Sequence, residues 1–109
     1  GWNVAVHHRQ SATEAQQTAE IKRVTLKQKL AAARAKYARD AEVTRQTGSG
    51  LEMFTEQYKV GRRTLLELVN MYESYAAMER AQIALKYDIA LLEIDIASEL
   101  GLLADGTSI

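Results

Sequence analysis

The sequence predicts an all-α chain: a long antiparallel coiled-coil helical hairpin with no β-barrel. Three observations point there. Proline is absent from all 109 residues, so no position loses its amide donor or forces a helix to break. Apolar residues recur in alternating steps of three and four over two long stretches, the spacing of a helical seam. Between the stretches lies Tyr58-Lys59-Val60-Gly61-Arg62-Arg63-Thr64-Leu65-Leu66-Glu67, which combines a helix stop with a helix start. Gly61 reaches left-handed backbone angles without a Cβ penalty. Thr64 and Glu67 match a capping box, in which hydroxyl and carboxylate satisfy each other's backbone amides. A link this short makes the two helices antiparallel neighbours.

Residues 1–10 show no clear period. His7-His8 are adjacent, so they do not share a helix face, and no third ligand lies nearby; solvated histidines account for them better than a metal does. Trp2 fits either a buried anchor or a chain-end residue. Ser11-Ala12-Thr13-Glu14 is a second capping-box match, which either opens a helix or lies within a longer one.

The first helix is expected over about residues 11–60. Its seam runs Ala19, Arg23, Leu26, Leu30, Ala33, Tyr37, then through polar Asp40, Thr44 and Thr47 to Leu51, Phe54 and Tyr58. The Ala31-Ala32-Ala33-Arg34-Ala35 run favours helix and lets a neighbour approach closely. Thr47-Gly48-Ser49-Gly50 looks like a linker or an engineered join, and each glycine costs a helix about 1 kcal/mol relative to alanine. The seam nevertheless returns in phase at Leu51, which favours one long helix, weakened or kinked near Gly48, over two helices.

Residues 61–63 form the expected turn, and the second helix follows over about 64–100. Its seam is Leu68, Met71, Tyr75, Met78, Gln82, Leu85, Ile89, Leu92 and Ile96. A second stripe, Ile83, Tyr87, Ala90, Ile94 and Ala97, asks for another neighbour, because one partner helix covers one seam. Gly101 is read as the C-terminal cap, with a loose tail from Ala104 to Ile109. Pairing about Gly61–Arg63 puts Tyr37 near Tyr87 and Leu26 near Ala97 or Ser98, and leaves residues before about Arg23 without a partner in this chain.

Formal charge is zero, from 14 basic and 14 acidic residues. It is unevenly placed: residues 1–63 hold 12 basic and 6 acidic groups, residues 64–109 hold 2 and 8. Opposite helices of opposite charge attract, which favours this pairing. The same pairing neutralises the basic face and argues against nucleic acid as a partner. Without cysteine there is no disulfide framework or thiolate site. Nothing resembles a signal peptide, and no apolar run is long enough for a membrane-spanning helix, so an exported parent would contribute this chain as a mature or excised piece. No Gly-rich phosphate loop, metal-ligand spacing or cysteine nucleophile is present. Carboxylates such as Glu73, Glu79, Glu93 and Asp95 fit a solvated helix face better than acid–base work. The expectation is therefore no enzyme, no catalytic residue, no metal and no cofactor.

The stretch from Glu56 to Asn70 resembles the periplasmic turn of the TolC family of outer-membrane channel proteins. Ala84-Leu85-Lys86-Tyr87-Asp88 and Ala97-Ser98-Glu99-Leu100-Gly101-Leu102-Leu103 sit at that family's spacing from the turn with no gap. The likeness covers about Leu51 to Leu103; residues 2–50 match only as a long helix leading in. The resemblance implies a homotrimeric channel with an outer-membrane barrel and a periplasmic barrel of helical hairpins. Their tips meet a periplasmic adaptor (membrane fusion) protein, for efflux or type I secretion. It places Tyr58, Gly61, Arg62, Arg63, Thr64 and Leu65 at the partner-binding tip: Gly61 and Thr64 shape it, and Arg62 and Arg63 stand exposed, so that reversing both charges is silent for folding. This chain would be one hairpin of the periplasmic portion. Met71, Met78 and Leu85 stand where the family often has alanine, which implies a different helix spacing, and Gly48-Ser49-Gly50 is not a feature of the family. The rival reading is a generic helical-hairpin interaction module, such as an adaptor-protein coiled coil, that engages partners by its seam.

Overall fold

The computed structural model describes residues 1–106. These form two helices, α1 over Trp2–Lys59 and α2 over Leu65–Gly106, with no strand among the described residues. The chain is an all-α helical hairpin. None of its described helices is long and apolar enough to cross a membrane.

Both helices overrun their expected limits. The Ser11–Glu14 box does not open α1, because the turn before it already supplies hydrogen bonds. Ala5 N–H donates to Gly1 O at 3.2 Å, and the Thr13 hydroxyl donates back to Arg9 O at 2.8 Å as an interior helical residue does. Gly101 does not cap α2 either; Gly61 alone among the described glycines has positive φ. Continuing the helix places Leu103 seven residues beyond Ile96, on the same seam, where it is half-buried. That burial offsets the roughly 1 kcal/mol a helical glycine costs. Of the expected loose tail, Ala104 to Gly106 are helical, and residues 107–109 lie outside the described residues.

The chain divides into two units. In the unit Ala32–Ala90, which holds the turn, Leu51 and Leu68 are buried at 8 % exposure each. Around them the α2 seam from Met71 to Ile89 is half-buried throughout, as is the α1 seam from Ala33 to Phe54 apart from buried Leu51. α1 runs unbroken through Thr47–Gly50. The two glycines face bulky residues of α2: a Cβ on Gly48 would lie 3.2 Å from Tyr75 Cε2, and one on Gly50 would lie 3.3 Å from Met71 Cε. What looks like a linker is thus a bay cut into α1 that receives Tyr75 and Met71. The absence of a side chain at Gly50 leaves the room that Met71 occupies.

The other unit joins Gly1–Ala31 to the stretch from Leu91 onward. Leu26, at 9 % exposure, is its buried apolar residue. Lys22 Nζ meets Glu99 Oε1 at 2.7 Å, an ion pair between the basic and the acidic helix. The hydrogen bond and attraction from Glu99 raise the Lys22 pKa above its ordinary value. Residues 1–18 are exposed apart from half-buried Val6.

The pairs Lys22–Glu99, Tyr37–Gln82, Gly48–Tyr75 and Gly50–Met71 are each centred within two residues of Gly61. Antiparallel pairing follows, but in a different register from the expected one. Tyr37 meets Gln82, whose amide donates to its carbonyl at 3.5 Å, while Tyr87 is 70 % exposed.

Candidate functional site: the hairpin tip

α1 ends in a Schellman motif. Gly61 N–H donates to Tyr58 O at 3.0 Å, and Arg62 N–H donates to Gln57 O at 2.8 Å. These two bonds satisfy carbonyls that the helix end leaves unpaired, and they require the residue at Gly61 to adopt left-handed angles. Its φ is +77°. Any side chain there is strained by about 1–2 kcal/mol. Gly61→Ala is therefore expected to destabilise the hairpin by that amount in chemical denaturation, even though a Cβ at Gly61 meets nothing within 4 Å. An unchanged midpoint would show that the strain is relieved by another turn.

α2 begins with the capping box that the sequence predicts. Glu67 N–H donates to Thr64 Oγ1 at 3.1 Å, and Thr64 N–H donates to Glu67 Oε1 at 3.4 Å. The Thr64 hydroxyl also lies 3.2 Å from Glu67 Oε1.

Arg63 is where the structure departs most from expectation. It is half-buried, not free for contact. Its guanidinium lies 4.2 Å from the centroid of the Phe54 ring. Arg63 Nε donates to Gln57 Oε1 at 2.8 Å and its Nη1 to Glu67 Oε2 at 3.0 Å. One side chain thus ties the last turns of α1 to the first turn of α2. The Schellman reversal makes this possible, because it returns the chain beside the last turn of α1. Arg62 is exposed, and its side chain has no hydrogen bond or ion pair among the described residues.

Reversing both arginines is consequently not silent. Arg63→Glu removes the ring contact and sets two carboxylates against each other. It is expected to lower the melting temperature clearly, whereas Arg62→Glu stays within about 0.5 kcal/mol of the parent. Thermal melts of the two single variants check this.

Glu67 carries a second consequence. The Arg63 hydrogen bond, then the Thr64 amide, hold its carboxyl below the ordinary glutamate range. A depressed native pKa gives a contribution fully present above the unfolded-chain value of about 4.3. That contribution is lost as pH falls through the lower native value. The Thr64 and Glu67 amide resonances are expected to titrate together with a midpoint below the ordinary glutamate range; an ordinary midpoint would contradict the box.

Of the expected tip residues, Gly61, Arg62, Thr64 and Leu65 are exposed, and so is Tyr58 at 40 %. Tyr58 leaves the seam because α1 ends at Lys59 and no partner helix extends opposite it. Sequence reasoning missed Phe54 and Gln57 as tip-shaping residues. It also missed Val60 and Leu66 as exposed apolar ones, at 70 % and 68 %. The Arg63–Glu67 spacing of four was a legible signal for their pairing; the Phe54 contact has no local signal.

The second stripe of α2 stays uncovered. In the unit that holds the turn, Ile83 is 58 % and Tyr87 70 % exposed; further towards the turn Leu65, Val69 and Tyr72 stand at 58 %, 41 % and 51 %. Their successive steps of four, three, eleven and four residues keep to one face of the helix. In the other unit Ile94 is 62 % exposed. Among the described residues no group of three or more His, Cys, Asp or Glu is arranged to hold a metal. Comparison with known protein families, curated proteins and solved structures finds no match.

Proposed function

We propose that this hairpin is a wall segment of a TolC-like outer-membrane exporter, in its periplasmic portion, and that its tip docks a periplasmic adaptor protein. The role is structural and involves no catalysis or cofactor. The observation that carries this reading is the uncovered apolar stripe of α2, running from Leu65 through Val69, Tyr72 and Ile83 to Tyr87. A free-standing hairpin needs one seam, and α1 occupies it. A helix in the wall of a barrel needs a second, because it has a neighbour on each side. In a homotrimeric channel that neighbour is another hairpin.

The braced turn supports the tip assignment. Rigid presentation of a contact surface lowers the entropy lost on docking. A generic module that engages partners by its seam would first have to displace α1 from Leu68 and its half-buried neighbours.

Arg62→Glu in the full-length protein tests the docking role. It is expected to weaken co-purification of the adaptor while leaving the melting temperature unchanged. Full adaptor retention would remove the tip from the interface.

A further inference from the structure

Four apolar residues crowd residues 58–66: Tyr58, Val60, Leu65 and Leu66, exposed at 40 %, 70 %, 58 % and 68 %. Scattered exposed leucines are ordinary, but a cluster on a braced turn marks a contact surface. The charges around it are mostly spent internally. Lys59 Nζ pairs with Glu56 Oε1 at 3.1 Å, and Arg63 pairs with Glu67 at 3.0 Å. Arg62 is the cation that remains, exposed and without a partner among the described residues. Nothing lies within 4 Å of where a Gly61 Cβ would stand, so the backbone beside Arg62 is open to close approach.

We infer that the tip recognises a protein partner carrying an apolar socket with a carboxylate at its rim, the socket taking Val60, Leu65 and Leu66 and the carboxylate pairing with Arg62. Arg63 is a positioning residue: it braces the turn that presents them and does not touch the partner. This rests on the tip-docking reading above and adds the chemistry of the partner. A membrane surface fits less well. Stable electrostatic attachment to anionic lipid takes a cluster of basic residues, and here one cation is free.

The test uses two helical peptides of about 20 residues with the same leucine face, long enough to fold when bound. One flanks that face with glutamates, the other with lysines. Binding is followed residue by residue through the amide resonances of the protein. The acidic peptide is expected to shift residues 58–66 and the lysine peptide to leave them in place. Arg62→Glu should reverse the preference, and Leu66→Ser should weaken binding about tenfold, or 1.4 kcal/mol. Arg63→Lys, which keeps the charge but not the fork of contacts, should broaden the turn resonances without reversing the charge preference.

Equal binding of both peptides at residues 58–66 would overturn the carboxylate assignment while leaving the apolar tip standing. Shifts elsewhere, at Ile83 and Tyr87 or on the basic face of α1, would overturn the tip reading itself. Shifts at residues 58–66 caused by anionic phosphatidylserine vesicles instead of either peptide would make a membrane the occupant and overturn the inference.

Discussion

Leu68→Ala is expected to lower the unfolding free energy by about 2–5 kcal/mol, the usual cost of truncating a buried leucine. Leu68 is 8 % exposed, and Leu51 across the turn is equally buried. Among the described residues only Leu26 joins them as buried apolar side chains. A two-helix packing has few such positions, so each carries a large share of a small total. Leu66 is the control: two residues away on α2, 68 % exposed, its truncation should stay within about 0.5 kcal/mol. Urea unfolding of both variants separates them. Equal, small effects would mean that the seam is not where the packing energy lies.

Gly48→Leu is expected to cost about 1–3 kcal/mol through overpacking. The first added carbon would already stand 3.2 Å from Tyr75 Cε2, and three more must find room between the helices. Helix propensity works the other way, since leaving glycine gains about 1 kcal/mol. Gly48→Ala should therefore come out near neutral, as the gain meets a contact that Tyr75 can relieve by a small shift. The double variant decides the cause. In a Tyr75→Ala background the Gly48→Leu penalty should disappear and the propensity gain should show through, a coupling readable by a double-mutant cycle. A penalty that persists without Tyr75 would mean that Gly48 matters for its backbone and not for the bay it leaves.

Much of the hairpin was legible because its signals are local or periodic. Every seam residue from Leu68 to Ile96 is buried or half-buried, since large apolar side chains at a 3.5-residue spacing have one economical place to go. Gly61 and the Thr64–Glu67 box were legible because the bonds involved span few residues. The register was not. Counting outward from the middle of Gly61–Arg63 ignores that the Schellman motif reverses the chain immediately. Arg62 already bonds to Gln57, and Arg63 lies over Phe54. α2 therefore starts alongside the last turn of α1, and the pairing shifts toward Gly61. The role of Arg63 was hidden for the same reason, because its partners come together only after that reversal. Gly48 and Gly50 were misleading in isolation. A glycine pair reads as a break until the facing side chains are known, and here Tyr75 and Met71 give it a packing reason.

The proposed wall-and-tip role is tested most directly by photo-cross-linking in cells that express the full-length protein. A photoreactive residue is placed in turn at position 66 on the tip and at position 87 on the α2 stripe, and the adducts are identified by mass spectrometry. Position 66 should capture a periplasmic adaptor protein, and position 87 should capture another helix of the same channel. Capture of the adaptor at position 87 with none at position 66, or no channel contact at position 87, would contradict the role proposed for this hairpin.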